Sequence, residues 1–223
     1  MEQAVIFDVY GTLVSTGTGS VDATAEILRK RGCALPPERV YARWKQLHRR
    51  LTAETMQKGF LPEAELFRLG LRELYGIYGI EGEPDEDVQI MLRSLRGRKA
   101  FPDAAPALAH LCRHYRIFIG SNTDTAPLED SLIQNGLTAD GIFTSESLRC
   151  YKPDPLFYSR LLERIGLSPE QVIFVGDSLT EDVEGPQRAG MRAVLVDRKG
   201  CFRPGSVQPD RILTGLPAEG LLL

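Results

Sequence analysis

The chain of 223 residues lacks the features that mark several large classes of protein. It has four cysteines, Cys33, Cys112, Cys150 and Cys201, and no two form a CxxC pair. That spacing excludes an ordinary zinc cluster, and so few cysteines give no disulfide framework to a chain of this length. Cys112 lies in an apolar helical run and is expected in the core; the compartment is expected to be reducing. Positive charge is not in excess either. The formal net charge is −3, so there is no basic face of the kind nucleic acid requires. The local basic group Arg43, Lys45, His48, Arg49 and Arg50 reads as the solvated side of a helix. No apolar run approaches membrane-spanning length, and no leader with a charged start and an apolar stretch opens the chain. A cytoplasmic location without membrane or nucleic-acid partners is expected, for a monomer or a weak homodimer. Internal repeats and low-complexity segments are missing as well.

What is present is a set of short, continuous apolar runs at 4–7, 117–119, 172–175 and 193–196. Runs so short, rich in Val, Ile and Phe, suit strands buried on both faces, hence a parallel sheet covered by helices. Helical spacing and stop signals place helices at 103–114, 127–135, 154–165 and 181–189, the last three followed by glycine or ending beside one. Strand and helix alternate from about residue 100 onward, which is the pattern of a doubly wound α/β fold. The first half departs from it. After the Ser-Thr-Gly-Thr-Gly-Ser stretch at 15–20, residues 21 to about 96 read as helices, with examples at 21–31, 37–58 and 63–75. The organisation is therefore a Rossmann-like core from 1–14 and 100–223, with an α-helical cap inserted at 15–99. The tail, 215–223, is expected to dock as a last turn.

Polar residues follow the apolar runs, where open α/β sheets bind their ligands. Asp8 ends the first run, and Gly11-Thr12 supplies a tight turn whose backbone N–H groups can cradle an anion. A carboxylate beside such a turn can act as a nucleophile, splitting one difficult transfer into two easier ones. Ser121-Asn122 ends the second run with a hydroxyl and an amide that can hold anionic oxygens. Lys152, ahead of Pro153 and the next helix, can neutralise charge on a transferred group. Asp177 and Asp182 follow the third run. Carboxylates crowded beside Asp8 repel one another unless a cation compensates, and magnesium favours one or two carboxylates with phosphate oxygens. Taken singly, each of these residues has an ordinary structural explanation as a turn, a cap or a surface charge; their common position at strand ends is what sets them apart.

The order and spacing of these residues, above all VGDSLTEDVEGPQRAGM at 175–191, resemble the haloacid dehalogenase superfamily of hydrolases. The resemblance covers the whole chain, including a helical cap after the first motif. It implies that Asp8 is the nucleophile and that Thr12 braces its loop. It further implies that Ser121 binds the transferred group beside Lys152, and that Asp177 is a magnesium ligand while Asp182 bonds lysine or water. The backbone carbonyl of Tyr10 is, by the same resemblance, a further metal ligand. Most members are magnesium-dependent phosphatases that pass through an aspartyl phosphate.

Tyr10 departs from that pattern. In those phosphatases the position usually holds a second aspartate, an acid and base worth ~10²–10⁴ in rate, and tyrosine with its pKa near ~10 replaces it poorly. The 2-haloacid dehalogenases of the superfamily do have tyrosine here, and their halide needs neither a proton nor magnesium. Ser121-Asn122 and the Tyr151-to-Tyr158 segment are similar to theirs, and Trp44-Lys45 resembles a Trp-Arg pair that receives the substrate, with lysine lacking the planar contacts of arginine. Their fourth motif, however, is uncharged, whereas this chain has Asp177. The reading that follows is a magnesium-dependent phosphatase of a small phosphorylated metabolite. A metal-independent 2-haloacid dehalogenase is the alternative, and a non-catalytic phosphate sensor is the third.

Overall fold

The computed structural model describes residues 3–217, apart from the side chain of Met56. Its centre is β1 (Ala4–Phe7), four residues with no exposed surface. Because β1 carries apolar side chains on both faces, it needs cover on both, and the chain provides it. The other strands are β2 (Arg116–Ser121), β3 (Gly141–Thr144), β4 (Val172–Gly176), β5 (Arg192–Val196) and β6 (Arg211–Leu213). They form one parallel sheet in the order β3-β2-β1-β4-β5-β6. On one face Val5, Phe7, Ile119 and Val175 pack with Leu108 and Leu128; on the other Ile6, Phe118 and Phe174 pack with Phe157, Tyr158 and Leu161.

The insert after β1 consists of α1 (Gly19–Lys30), α2 (Pro37–Lys58), α3 (Glu63–Tyr78) and α4 (Asp85–Arg96). These helices bury their own apolar stripes, with Ile27, Trp44, Phe67, Leu71 and Met91 meeting at the centre. Inside that helical group lies a charged knot. Asp87 is fully buried and takes Lys30 Nζ at 2.6 Å, Arg31 Nε at 2.7 Å and the Tyr75 hydroxyl. The two crossing points between insert and sheet run side by side. Ser15 N donates to Lys99 O at 2.8 Å and Phe101 N to Leu13 O at 2.9 Å, so the hinge is a short two-bond ladder.

The remaining helices are α5 (Ala104–Leu111), α6 (Thr125–Gln134), α7 (Ser145–Leu148), α8 (Pro155–Ile165) and α9 (Gly185–Arg188). Several expectations need correction. Cys112 is exposed, because the helix ends at Leu111 and the thiol turns outward. The helix after Lys152 begins at Pro155, since Asp154 accepts from Leu156 N as its cap and Pro153 stays outside. The segment expected as one helix at 181–189 is a wide π-type turn, Leu179–Glu184, that passes into α9. Two strands carried no sequence signal. β3 includes a glycine and is only half-buried, and β6 has three residues at the sheet edge. The expected last turn lies largely outside the described residues. No helix among the described residues is long and apolar enough to cross a membrane.

Replacing Asp87 by alanine leaves Arg31 and Lys30 beside a buried hole, with only the exposed Glu86 as a shared acceptor. The expected loss is about 2 kcal/mol of stability, below the figure for a fully enclosed pair because both cations reach solvent. Urea denaturation of Asp87→Ala checks it; an unchanged midpoint would show that the knot contributes nothing.

Candidate active site

The strand order brings the sequence motifs together. β1 lies between β2 and β4, so the loops after all three strands leave the sheet at one edge, where the chain changes direction. Asp8 leaves β1 with its N–H bonded to Val175 O at 2.9 Å, and its carboxylate is almost wholly buried. Three donors surround that carboxylate. Lys152 Nζ lies 3.0 Å from Oδ1, Ser121 Oγ lies 3.2 Å from the same oxygen, and Thr12 Oγ1 lies 3.3 Å from Oδ2. Lys152 reaches Asp182 Oδ1 as well, at 2.7 Å. Asp182 is fixed by Ser178 N on its other oxygen, at 3.0 Å. Burial alone would lower the lysine's pKa, but Asp182 and Asp8 outweigh it and hold the ammonium charged well above its usual range.

Two glycines make this packing possible. Gly11 has φ +106°, a region that favours glycine, and a Cβ there would fall 2.1 Å from Asp177 Oδ2. A Cβ on Gly176 would fall 2.3 Å from Asp182 Cγ. The loops thus close on the carboxylates at backbone distance. Oxygens of Asp8, Asp177 and Asp182 all lie within 4.8 Å of one another. One ammonium faces three carboxylates, which leaves an excess of negative charge. The Asp177 carboxyl, open to solvent on one flank, is pushed up to about 7 by partial desolvation, then by Asp8 and Asp182. Lys152 and Ser178 N hold both oxygens of Asp182, while Asp177 faces out beside Asp8. This donor set fits a hard divalent cation held by Asp8 and Asp177, with oxygen ligands only. The backbone at Tyr10 belongs to the same loop.

The cap closes over this edge and leaves a cavity of about 380 Å³ between the two. Tyr10 lines it from below and Lys45 from α2. The Tyr10 hydroxyl is buried without a hydrogen-bond partner, and burial followed by Glu63 pushes its pKa up to about 12. Lys45 lies over the Tyr41 ring at 5.1 Å rather than at Asp8. Asn122 lines the cavity too, but its amide brackets the third loop: Lys152 N donates to its Oδ1 at 2.7 Å and its Nδ2 donates to Lys152 O at 2.9 Å. The basic group on α2 is not uniformly solvated. His48 turns inward and stacks on Trp44 at 4.9 Å, so burial lowers its pKa to about 4.

Other residues of the site were not singled out from the sequence. Asp124 accepts from Glu63 N and Ala64 N, at 2.7 and 3.0 Å, and so caps α3 from the sheet side. Glu63 in turn accepts from Thr123 Oγ1 at 2.8 Å. Arg198 pairs with Asp103 through two bonds and donates to Thr12 O at 2.9 Å, bracing the loop of Asp8 from behind. Asp124 lies two residues beyond Asn122, in the polar stretch after the second apolar run; nothing in the local sequence marks Arg198 or Glu63. Glu181, next to Asp182, lines the cavity, and burial pushes its carboxyl up to about 7.

A family model described as haloacid dehalogenase-like hydrolase matches residues 2–190. The chain is 31% identical to "Phosphatase MT3486" of Mycobacterium tuberculosis over 210 residues, 92% of each chain. It is 26% identical to "(S)-2-haloacid dehalogenase 4A" of Burkholderia cepacia over 206 residues, 89% of this chain and 84% of that one. Among solved structures, the L-2-haloacid dehalogenase of Xanthobacter autotrophicus superposes with a TM-score of 0.81 at 23% identity, covering 97% of this chain and 96% of that one.

Glu63 gives the site a pH signature. Burial pushes its carboxyl up to about 7 from the ordinary 4.5, against the pull of the Thr123 hydroxyl. The folded state therefore binds the proton more tightly than the unfolded chain. Stability from this group is complete below the unfolded pKa and falls as pH rises to the folded one. Glu63→Gln keeps an acceptor for Thr123 and removes the titration. Melting temperatures across that range, measured in EDTA, should decline less steeply in the variant, and parallel curves would refute the assignment.

Proposed function

This chain belongs to the haloacid dehalogenase-like hydrolases, and from that membership we propose that it is a magnesium-dependent phosphatase acting on a small phosphorylated metabolite. The observation that carries the reading is Asp177. It adds a third carboxylate within 4.8 Å of Asp8 and Asp182, where Lys152 is the only cation in contact with them among the described residues. Uncompensated, that charge would repel any anionic substrate. Magnesium held by Asp8 and Asp177, with the Tyr10 carbonyl, would supply the missing positive charge and draw electrons from the phosphoryl oxygens.

The chain's own groups account for the rest. A carboxylate oxygen of Asp8 attacks phosphorus, the bond from phosphorus to the leaving oxygen breaks, and that oxygen departs with the electron pair. Lys152 Nζ and Ser121 Oγ, both within 3.2 Å of Asp8 Oδ1, stand where the phosphoryl oxygens arrive. Thr12 steadies the other carboxylate oxygen. Water then attacks phosphorus of the acyl phosphate, which returns Asp8 and releases phosphate.

Tyr10 limits the choice of leaving group. A hydroxyl with its pKa near 12 and no partner is ill suited to trade protons at neutral pH. Substrates whose leaving group departs without help, such as aryl or acyl phosphates, are favoured. The same residue sustains the second reading, a 2-haloacid dehalogenase in which Asp8 attacks carbon and halide leaves unprotonated.

Two outcomes are expected. First, p-nitrophenyl phosphate should be hydrolysed with magnesium, lose turnover in EDTA and lose it in Asp8→Asn; metal-independent chloride release from 2-chloropropionate would instead establish the dehalogenase. Second, turnover of p-nitrophenyl phosphate should exceed that of an alkyl phosphate by a factor on the order of 10² or more, since the acid that equalises them is missing. Equal rates would mean that another group supplies the proton.

A further inference from the structure

Arg98 lies on the segment that returns from α4 to the sheet, and its side chain lines the cavity bordered by Tyr10 and Asn122. The backbone there is fixed: Asn135 Nδ2 donates to Arg98 O at 3.1 Å, and Ala100 N donates to Asn135 Oδ1 at 2.7 Å. The guanidinium lies over the Tyr10 ring at 5.1 Å, and one of its terminal nitrogens donates to Ser20 Oγ at 2.9 Å. Its Nε is buried without a partner, and no carboxylate among the described residues forms an ion pair with it. Burial lowers its pKa. A guanidinium has five donors in a rigid fork, and burying its Nε without a partner is unfavourable unless an acceptor completes the arrangement.

Among carboxylates, Glu63 is the one whose charge bears on Arg98, and it forms no ion pair with it among the described residues. Glu63 and Glu181 face the same cavity, but Thr123 and Asn122 engage them and burial pushes both toward their neutral forms. Lys45 and Arg49 add positive charge from α2 and form no ion pair among the described residues. The cavity lined by Tyr10 and Asn122 therefore carries three cations, Lys45, Arg49 and Arg98, none of them in an ion pair among the described residues.

We propose that Arg98 forms an anion subsite, with Tyr10 as its floor, that recognises a second negatively charged group on the leaving portion of the substrate. The substrate class is thus a small phosphate ester or acyl phosphate that also carries a carboxylate or second phosphate. This reading explains Tyr10 in positive terms. An aspartate at that position would pair with Arg98 and cancel it, whereas an aromatic face supports a guanidinium while leaving its donors free.

The inference rests on the phosphoryl-transfer reading, so the test separates the two. Binding of phenylphosphonate and of 4-carboxyphenylphosphonate is measured by calorimetry with magnesium present, which needs no turnover. Wild type should bind the carboxylated probe about tenfold more tightly, the scale of one charge-assisted pair. Arg98→Met and Tyr10→Asp should each bring the ratio to within about twofold, and Arg98→Lys should retain part of it. Equal affinity of wild type for the two probes would overturn the subsite without recourse to any variant, while leaving p-nitrophenyl phosphate hydrolysis intact. Binding of neither probe, together with no hydrolysis of p-nitrophenyl phosphate, would remove the phosphatase reading and the subsite with it.

Discussion

The site is organised by one buried ammonium. Lys152 Nζ bridges Asp8 at 3.0 Å and Asp182 at 2.7 Å, and lies 5.2 Å from the centre of the Phe174 ring. Without it, two carboxylates would be enclosed side by side at the end of a fully buried strand, a cost of several kcal/mol per ion. With it, loops from three different strands are tied to one atom. Asn122 secures the lysine's backbone from β2, and Ser178 secures Asp182 from β4. Rigidity of this kind is what a nucleophile requires, since a carboxylate held in one orientation has little reorganisation to undergo when the substrate arrives.

Lys152 balances only part of the charge it is surrounded by. The uncompensated part is Asp177, held against the Gly11 backbone where no side chain could fit. A haloacid, anionic and bound without metal, gains nothing from that carboxylate, whereas a phosphate ester bound with a divalent cation does. Tyr10 speaks to a different step. On the proposed reading it removes a proton relay at the leaving group without disturbing the charge pattern at Asp8. The two features therefore need not conflict: one concerns what is attacked, the other what is expelled.

The cap is tied to the sheet by direct contacts. Asp124 caps α3 from below and Glu63 reaches back to Thr123, so that the first turn of α3 and the loop after β2 hold each other. The hinge ladder at Ser15 and Phe101 keeps both crossings adjacent. Arg98 leaves the return crossing next to Tyr10, and the cavity is shaped by residues from both sides of the hinge.

Much of this was legible in the chain itself. The apolar runs that became β1, β2, β4 and β5 were determined locally, because four or five consecutive Val, Ile, Phe and Ala side chains have few ways to be buried other than within a covered parallel sheet. Asp8, Ser121, Lys152, Asp177 and Asp182 stood out for the same reason, as polar residues just beyond such runs or at the head of the following helix. β3 and β6 gave no signal, since a half-buried edge strand need not be apolar, and the 179–184 turn looked like ordinary helix because its period differs little from one. Only the tertiary structure decided which charges meet. That Arg98 lies over Tyr10, that Arg198 braces Thr12 and that His48 faces inward depend on strand order and on how the cap settles against the sheet, and those are properties of packing between distant segments that no local pattern carries.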